Sequence, residues 1–153
     1  MKEKILISAC LVGINSRYNG KSNKIEPLVE LVKQGKAIFM CPEQTGGLST
    51  PREPAEIEAG KTAKDVLAGK GRVLTISGMD VTKEFLNGAH TTLSLCKEAG
   101  VTKAILKARS PSCGSTEVYD GTHSGVRIPG SGITAELLRQ NGIKVFDEER
   151  YQI

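Results

Sequence analysis

Short apolar runs alternate with longer amphipathic segments along the chain. Four of these runs, each bounded by loop residues, are typical of buried strands: residues 4–9, 36–40, 103–108 and 143–146. Three segments with apolar residues at every third or fourth position predict helices: residues 25–32, 80–99 and 133–140. Alternating strands and helices favour an α/β fold. We expect one layered domain over residues 1–153, with a mostly parallel, Rossmann-like sheet flanked by helices.

The remaining segments predict loops and small outer strands. Residues 55–58 and 72–77 are expected to pair with each other around the glycine-bounded stretch 60–71. Residues 115–129 carry a Tyr-Asp-Gly-Thr turn signal between two possible strands. Residues 41–54 hold three prolines and two glycines, which predicts a structured loop long enough to be functional.

Composition and charge narrow the classes of function. Among 153 residues the net charge is only +4, and the six aromatics include no tryptophan, so a nucleic-acid partner is not expected. No apolar run approaches the roughly 18–20 residues that span a bilayer. The segment before Cys10 imitates a lipoprotein cleavage site but is shorter than the roughly 15–30 residues of a secretory signal. A cytoplasmic location with reduced thiols is therefore expected.

Three of the four cysteines follow predicted strands. Cys10 and Cys41 come directly after the first and second strands, and Cys113 comes after the third strand and a five-residue turn. Ligands of open α/β sheets bind outside the carboxyl ends of the strands, so these three thiols are expected to share a site. Packing is the alternative, because cysteine is commonly buried. Cys96 lies on the apolar face of a predicted helix and is expected in the core.

The spacing of the thiols limits the metal that they would hold. No C-x-x-C pair occurs, and zinc would need a fourth ligand such as histidine, whereas His90 and His123 are both expected to be surface residues. A cubane iron–sulfur cluster normally takes four cysteines. With three, one iron is left open, and such an iron is a Lewis acid that favours a soft sulfur ligand.

Five motifs, which run in order over almost the whole chain, resemble the bacterial thiouracil desulfurase family. They are Ser8-Ala9-Cys10-Leu11-Val12-Gly13 with Tyr18-Asn19-Gly20; Cys41-Pro42-Glu43-Gln44 with Gly46-Gly47-Leu48 and Thr50-Pro51-Arg52; Ser110-Pro111-Ser112-Cys113-Gly114; Tyr119-Asp120-Gly121-Thr122; and Gly130-Ser131-Gly132-Ile133-Thr134-Ala135. The Cys-Pro-Glu and Ser-Pro-Ser-Cys-Gly motifs together are quite specific.

The resemblance implies an enzyme with an oxygen-sensitive 4Fe–4S cluster. The family's free iron takes the sulfur of a thiolated pyrimidine, and the products are uracil and sulfide. Carried over by motif, the cluster ligands are Cys10, Cys41 and Cys113. The resemblance also implies a catalytic role for Glu43, assisted by a serine of the Ser-Pro-Ser-Cys motif. Ser110 is preferred over Ser112 as that serine.

Several of these residues have a second interpretation. Glu43 is either a proton shuttle or an ordinary loop carboxylate. Arg52 either binds a substrate carbonyl or carboxylate or makes a loop salt bridge. Ser8 and Asn19 are expected to hydrogen-bond cluster sulfurs or substrate, although Asn19 also starts an ordinary turn. The glycines around Ser131 precede a helix, and their N–H groups suit an anion.

Two other classes of function are weaker alternatives. A non-catalytic cluster-binding or sulfur-carrier module would use the same thiols without needing Glu43. A nucleotide-binding domain has little support, because Ala55 stands where a P-loop ending at Lys61 would need its first glycine. A small thiolated base is the expected partner, and the oligomeric state and natural substrate stay open.

Overall fold

The computed structural model describes residues 4–151, so the outermost residues of the predicted domain, including the first three of the signal-like segment, lie outside the described range. The strands are β1 (Lys4–Ser8), β2 (Ala37–Met40), β3 (Ala55–Ile57), β4 (Val73–Thr75), β5 (Val101–Leu106), β6 (Glu117–Tyr119), β7 (Arg127–Pro129) and β8 (Lys144–Asp147). The helices are α1 (Glu26–Lys33), α2 (Pro42–Thr45), α3 (Ala63–Leu67), α4 (Thr82–Ala99) and α5 (Ile133–Gln140), and a 3₁₀ turn, Ala9–Val12, follows β1.

A four-stranded parallel sheet in the order β2-β1-β5-β8 forms the centre of the fold. The predicted α/β fold with a mostly parallel sheet is therefore confirmed. Because side chains alternate along a strand, β1 sends Leu6 to one face of the sheet and Ile7 to the other. Leu6 packs with the helices α4 and α5, whereas Ile7 packs with Leu28 of α1. Both faces are covered, as continuous apolar strands require.

Two small antiparallel hairpins complete the structure. β3 pairs with β4, as the sequence predicts for residues 55–58 and 72–77, and β6 pairs with β7. The stretch between β3 and β4 is not only a loop, because it contains α3. The sequence signal for α3 is a capping box, in which Thr62 accepts from the backbone of Asp65 and Asp65 accepts from the backbone of Thr62.

The longest helix, α4, has a buried face and an exposed face. Phe85, Ala89 and Cys96 are buried in the core, so the predicted core position of Cys96 is confirmed. His90 lies on the exposed face, as expected. Within residues 4–151, no helix has the length and apolar character that a membrane span needs.

Candidate active site

A cavity of about 400 Å³ opens at the carboxyl edge of the central sheet, and Cys10, Cys41 and Cys113 line it together. Cys10 lies in the 3₁₀ turn after β1, and Cys41 immediately precedes α2 at the end of β2. Cys113 lies in the turn after β5. Cys96 is not among the lining residues. The topology thus brings together three thiols that are far apart in the sequence.

Three thiols that line one cavity are a donor set that fits an iron–sulfur cluster. In the described part of the chain, no three His, Cys, Asp or Glu side chains lie close enough together to hold one ion. A cubane places its irons at separate corners, and each iron takes its own thiolate, so its ligands need not converge on one point. Thiolates are also the ligands that iron–sulfur clusters prefer. The residues present therefore fit such a group.

Burial dominates the electrostatics of two of these thiols. Burial raises the pKa of Cys10 to about 11, and the neighbouring Cys41 adds to this effect while Lys107 and Arg17 oppose it. Burial raises the pKa of Cys113 to about 12, although hydrogen bonds with Ser8 and Ser112 act in the opposite direction. Without a metal, both thiols carry their protons at neutral pH. A bound metal centre supplies the positive charge that makes the thiolate forms stable.

The turn that carries Cys113 is held by the hydroxyl of Ser110, which lies in the same turn, and by α5. Ser110 Oγ accepts hydrogen bonds from the backbone N–H groups of Ser112 and Cys113, both at 3.1 Å. The carbonyl of Ser112 accepts from Thr134 N at 2.9 Å, and the carbonyl of Pro111 accepts from Ile133 N at 2.9 Å. The N–H groups of Gly130 and Gly132 are also bonded, to Thr116 O at 2.9 Å and to Gly114 O at 2.8 Å, so neither is free for the expected anion site.

Glu43 is bonded to both serines of the Ser-Pro-Ser-Cys turn. Its Oε2 accepts from Ser112 Oγ at 2.9 Å and from Ser110 Oγ at 3.3 Å. Ser112 Oγ also lies 3.6 Å from the sulfur of Cys113, and Ser110 and Ser112 are 2.9 Å apart at their hydroxyls. The structure therefore brings together the carboxylate, both candidate serines and a candidate ligand. Of the two serines, Ser112 makes the shorter bond to Glu43.

Arg52 makes the salt bridge that the sequence left as an alternative. Its Nε and Nη2 both lie 3.0 Å from Glu43 Oε1. Nη1 donates to Ser49 O and Thr50 Oγ1, and Nη2 also donates to Ser16 O. Four hydrogen bonds, together with the ion pair to Glu43, thus hold the guanidinium in place. Arg52 also lines the cavity, so its expected contact with a substrate stays a prediction beside the salt bridge.

The other two residues expected at the substrate have different positions. Ser8 is buried beside the cavity, where its Oγ accepts from Lys107 N at 2.9 Å and interacts with Cys113. Asn19 is exposed, and its Oδ1 accepts from Lys21 N at 3.0 Å in a local turn. Asn19 is not among the residues that line the cavity. The structure supports the local turn for Asn19 and gives no contact for a binding role.

Several lining residues were given no functional role from the sequence. The hairpins β3/β4 and β6/β7 bring Glu56, Tyr119 and His123 to the cavity, and the loop after the 3₁₀ turn brings Arg17 and Tyr18. His123, expected at the surface, is half-buried at the wall of the cavity, with a side chain that is 17% exposed. These positions depend on how the hairpins pack against the sheet. Tyr18 and Tyr119 belong to the motifs that carry the family resemblance, whereas no local pattern marks Arg17 or Glu56.

The fold and the site define an α/β protein with a three-thiol cavity. A sequence model of the 2-thiouracil desulfurase family matches residues 5–150, so the chain belongs to that family. The chain is 51% identical over 144 residues to the uncharacterized protein YbbK of Bacillus subtilis (strain 168), covering 94% of this chain and 95% of that protein. It is also similar to the solved structure of the [4Fe-4S]-dependent thiouracil desulfidase TudS, with a TM-score of 0.86 and 46% identity over 97% of this chain and 93% of that chain.

Proposed function

We propose that this protein is an iron–sulfur-dependent desulfurase that replaces the sulfur of a thiolated pyrimidine, or a related thioamide, by oxygen. The main observation in support is that three thiols and the Glu43–Ser112 pair line one cavity in a member of the 2-thiouracil desulfurase family. The reaction consumes one water and releases one sulfide. No electrons are gained or lost overall, so no reductase is needed.

The proposed cofactor is a 4Fe–4S cluster held by Cys10, Cys41 and Cys113. When bound, such a cluster supplies an iron without a cysteine ligand, which acts as a Lewis acid and sulfur acceptor. The fit rests on the shared cavity and on the thiolate donor set. Cys96 is left out of this set because it lies on the buried face of α4, in the core.

In the proposed reaction, Glu43 moves the protons. Its Oε2 already accepts from two hydroxyls, so it is placed to take a proton from a water that attacks the thiocarbonyl carbon. The same carboxyl then returns that proton to the sulfur, which leaves as hydrosulfide when the C–S bond breaks, while the proton of the new hydroxyl passes to solvent as the carbonyl forms. Ser110 and Ser112 orient the water and the substrate beside it. Arg52 holds the other oxygen of Glu43 and so fixes the direction in which the carboxylate points.

The size and chemistry of the cavity support a small-molecule partner in a reducing compartment. A volume of about 400 Å³ holds a single base but not a folded polymer. The four cysteines are free thiols, which is typical of cytoplasmic proteins. We therefore place the protein in the cytoplasm, with a thiolated base as its partner.

Anaerobic purification followed by iron and acid-labile sulfide analysis, and then by a sulfide-release assay on 2-thiouracil, tests this function. Cys10→Ser, Cys41→Ser and Cys113→Ser should each abolish cluster binding and sulfide release. The matched control Cys96→Ala should keep both, at a cost of about 1 kcal/mol in stability. A loaded protein that binds thiouracil without turnover would instead support the carrier module. Stoichiometric zinc in anaerobically prepared protein would also contradict the proposed enzyme.

A further inference from the structure

His123 is an imidazole that the proposed reaction does not use, although it lines the same cavity as the thiols. It lies in the loop between β6 and β7, with a backbone φ of 57°. Histidine is one of the few side chains enriched in this left-handed region. The loop therefore holds the imidazole in place through an unusual but tolerated backbone conformation.

Glu56 of β3 fixes both the loop and the ring. Its Oε1 accepts from the backbone N–H groups of Gly121 at 2.9 Å and His123 at 3.2 Å. Its Oε2 lies 3.6 Å from His123 Nδ1, and the two side chains are 11% and 17% exposed. Gly121 packs so closely that a Cβ atom there would lie 2.4 Å from Ala59 N. The position of His123 is thus set by β3 and the segment that follows it.

The two nitrogens of His123 face different surroundings. A carboxylate near Nδ1 favours a proton on that nitrogen, which leaves Nε2 of the neutral ring as an acceptor. Among residues 4–151, no hydrogen-bond partner is found for Nε2. Because His123 lines a cavity sized for a base, an Nε2 without a protein partner can serve there as a recognition group for a donor on the ligand.

We infer that His123 Nε2 accepts a hydrogen bond from a ring N–H of the thiolated base, and that Glu56 positions the imidazole for this contact. His123 is then a specificity-determining residue that selects bases whose ring nitrogen carries hydrogen. This inference rests on the proposed function, because it assigns a contact to the substrate of that reaction.

The test compares wild type with His123→Asn and His123→Gln in cluster-loaded enzyme. Asparagine keeps a polar atom near the position of Nδ1 but none at Nε2, whereas glutamine reaches the position of Nε2. Sulfide release is measured with 2-thiouracil and its two mono-N-methylated derivatives. His90→Asn is the matched control, because His90 is exposed on α4, away from the cavity. Iron and labile sulfide contents should be equal in all four proteins.

For wild type, methylation of one particular ring nitrogen should lower kcat/KM about tenfold, the size expected for one lost hydrogen bond. His123→Asn should lower kcat/KM on 2-thiouracil by a similar factor and remove the penalty for that derivative. His123→Gln should restore most of the discrimination, and His90→Asn should behave as wild type.

A second measurement does not depend on turnover. In the full chain labelled with ¹⁵N, uracil should shift the Nε2 resonance of His123 and leave His90 unchanged, whereas 1,3-dimethyluracil should shift neither. Unchanged discrimination in His123→Asn, or an unshifted Nε2 resonance with uracil bound, would overturn the inference and leave the desulfurase standing. If loaded wild type releases no sulfide from any of the three compounds, the proposed function fails and this substrate contact fails with it.

Discussion

Gly46 at the end of α2 and Gly88 inside α4 hold these two helices in backbone contact. A Cβ atom on Gly46 would lie 1.9 Å from Glu84 O, and one on Gly88 would lie 1.9 Å from Pro42 O. Both distances are far below any real Cβ contact. Because α2 carries Glu43, this contact fixes how far the proposed proton shuttle lies from the core.

Gly88→Ala should therefore push α2 away from α4. We expect a loss of about 1–3 kcal/mol in the free energy of unfolding, the usual cost of overpacking, together with slower sulfide release because Glu43 moves away from the serines. Chemical denaturation and the sulfide assay measure the two effects. Asn87→Ala, at an exposed position of the same helix, is the control and should change neither. A Gly88→Ala protein as stable and active as wild type would show that this contact does not position α2.

Glu43→Gln tests the proton shuttle without removing the shape of the side chain. The cluster content should stay at the wild-type level, because Glu43 is not among the proposed ligands. The rate of sulfide release should fall at least about 10²-fold, the usual contribution of general acid–base catalysis. Glu98→Gln, at an exposed site on α4, should have wild-type activity. Sulfide release near the wild-type rate in Glu43→Gln would remove Glu43 from the mechanism and leave the cluster assignment intact.

Arg52→Lys distinguishes a positioning role from a substrate-binding role. Lysine keeps the charge but cannot reproduce the planar set of five N–H donors. Since most of those donors are bonded to the protein, we expect kcat to fall about tenfold or more while KM changes less than about threefold, with the cluster retained. Steady-state kinetics on 2-thiouracil separates the two parameters. A raised KM with unchanged kcat would show instead that Arg52 binds the substrate.

The central sheet could be predicted because each of its strands is a short apolar run, and each long helix has apolar residues at every third or fourth position. The sequence did not predict α2 and α3, because helices of four and five residues are too short to show a repeat of apolar positions. α2 begins at Pro42, a residue that is favoured at the start of a helix, and this was the one local signal for it. A cap or a single proline is therefore a weaker sequence signal for a helix than an apolar face that is repeated over several turns.

The three thiols of the site could be located because their position follows from topology, since parallel strands end at one edge of a sheet. The contact between Glu43 and Ser112, which are separated by 69 residues, could not be derived from spacing. The same holds for the contact between His123 and Glu56, separated by 67 residues, because it depends on how two hairpins pack together. For Arg52 the sequence left two alternatives, and the salt bridge with Glu43 becomes visible only in the structure.

Asp147, at the end of β8, ties the segment after Cys113 to the sheet. Its Oδ2 accepts from Ser115 Oγ and from Arg150 Nη1, and its Oδ1 accepts from Glu149 N at 2.9 Å. Burial opposes ionisation of this carboxyl, but these hydrogen bonds and the charge of Arg150 outweigh burial and hold the pKa of Asp147 below its usual value.

A lowered pKa means that folding favours the ionised form of Asp147. Its stabilisation is complete above roughly pH 4, the ordinary value for aspartate, and is lost as the pH falls through the lower pKa of the folded state. Asp147→Asn should therefore cost about 2–4 kcal/mol at pH 7, and the difference from wild type should shrink below pH 4. Denaturation measured across this pH range tests both statements. Asp120→Asn, which keeps the Oδ1 acceptor of its turn, should change stability by less than about 0.5 kcal/mol. A difference between Asp147→Asn and wild type that is small at pH 7 or independent of pH would show that the charge of Asp147 does not stabilise the fold.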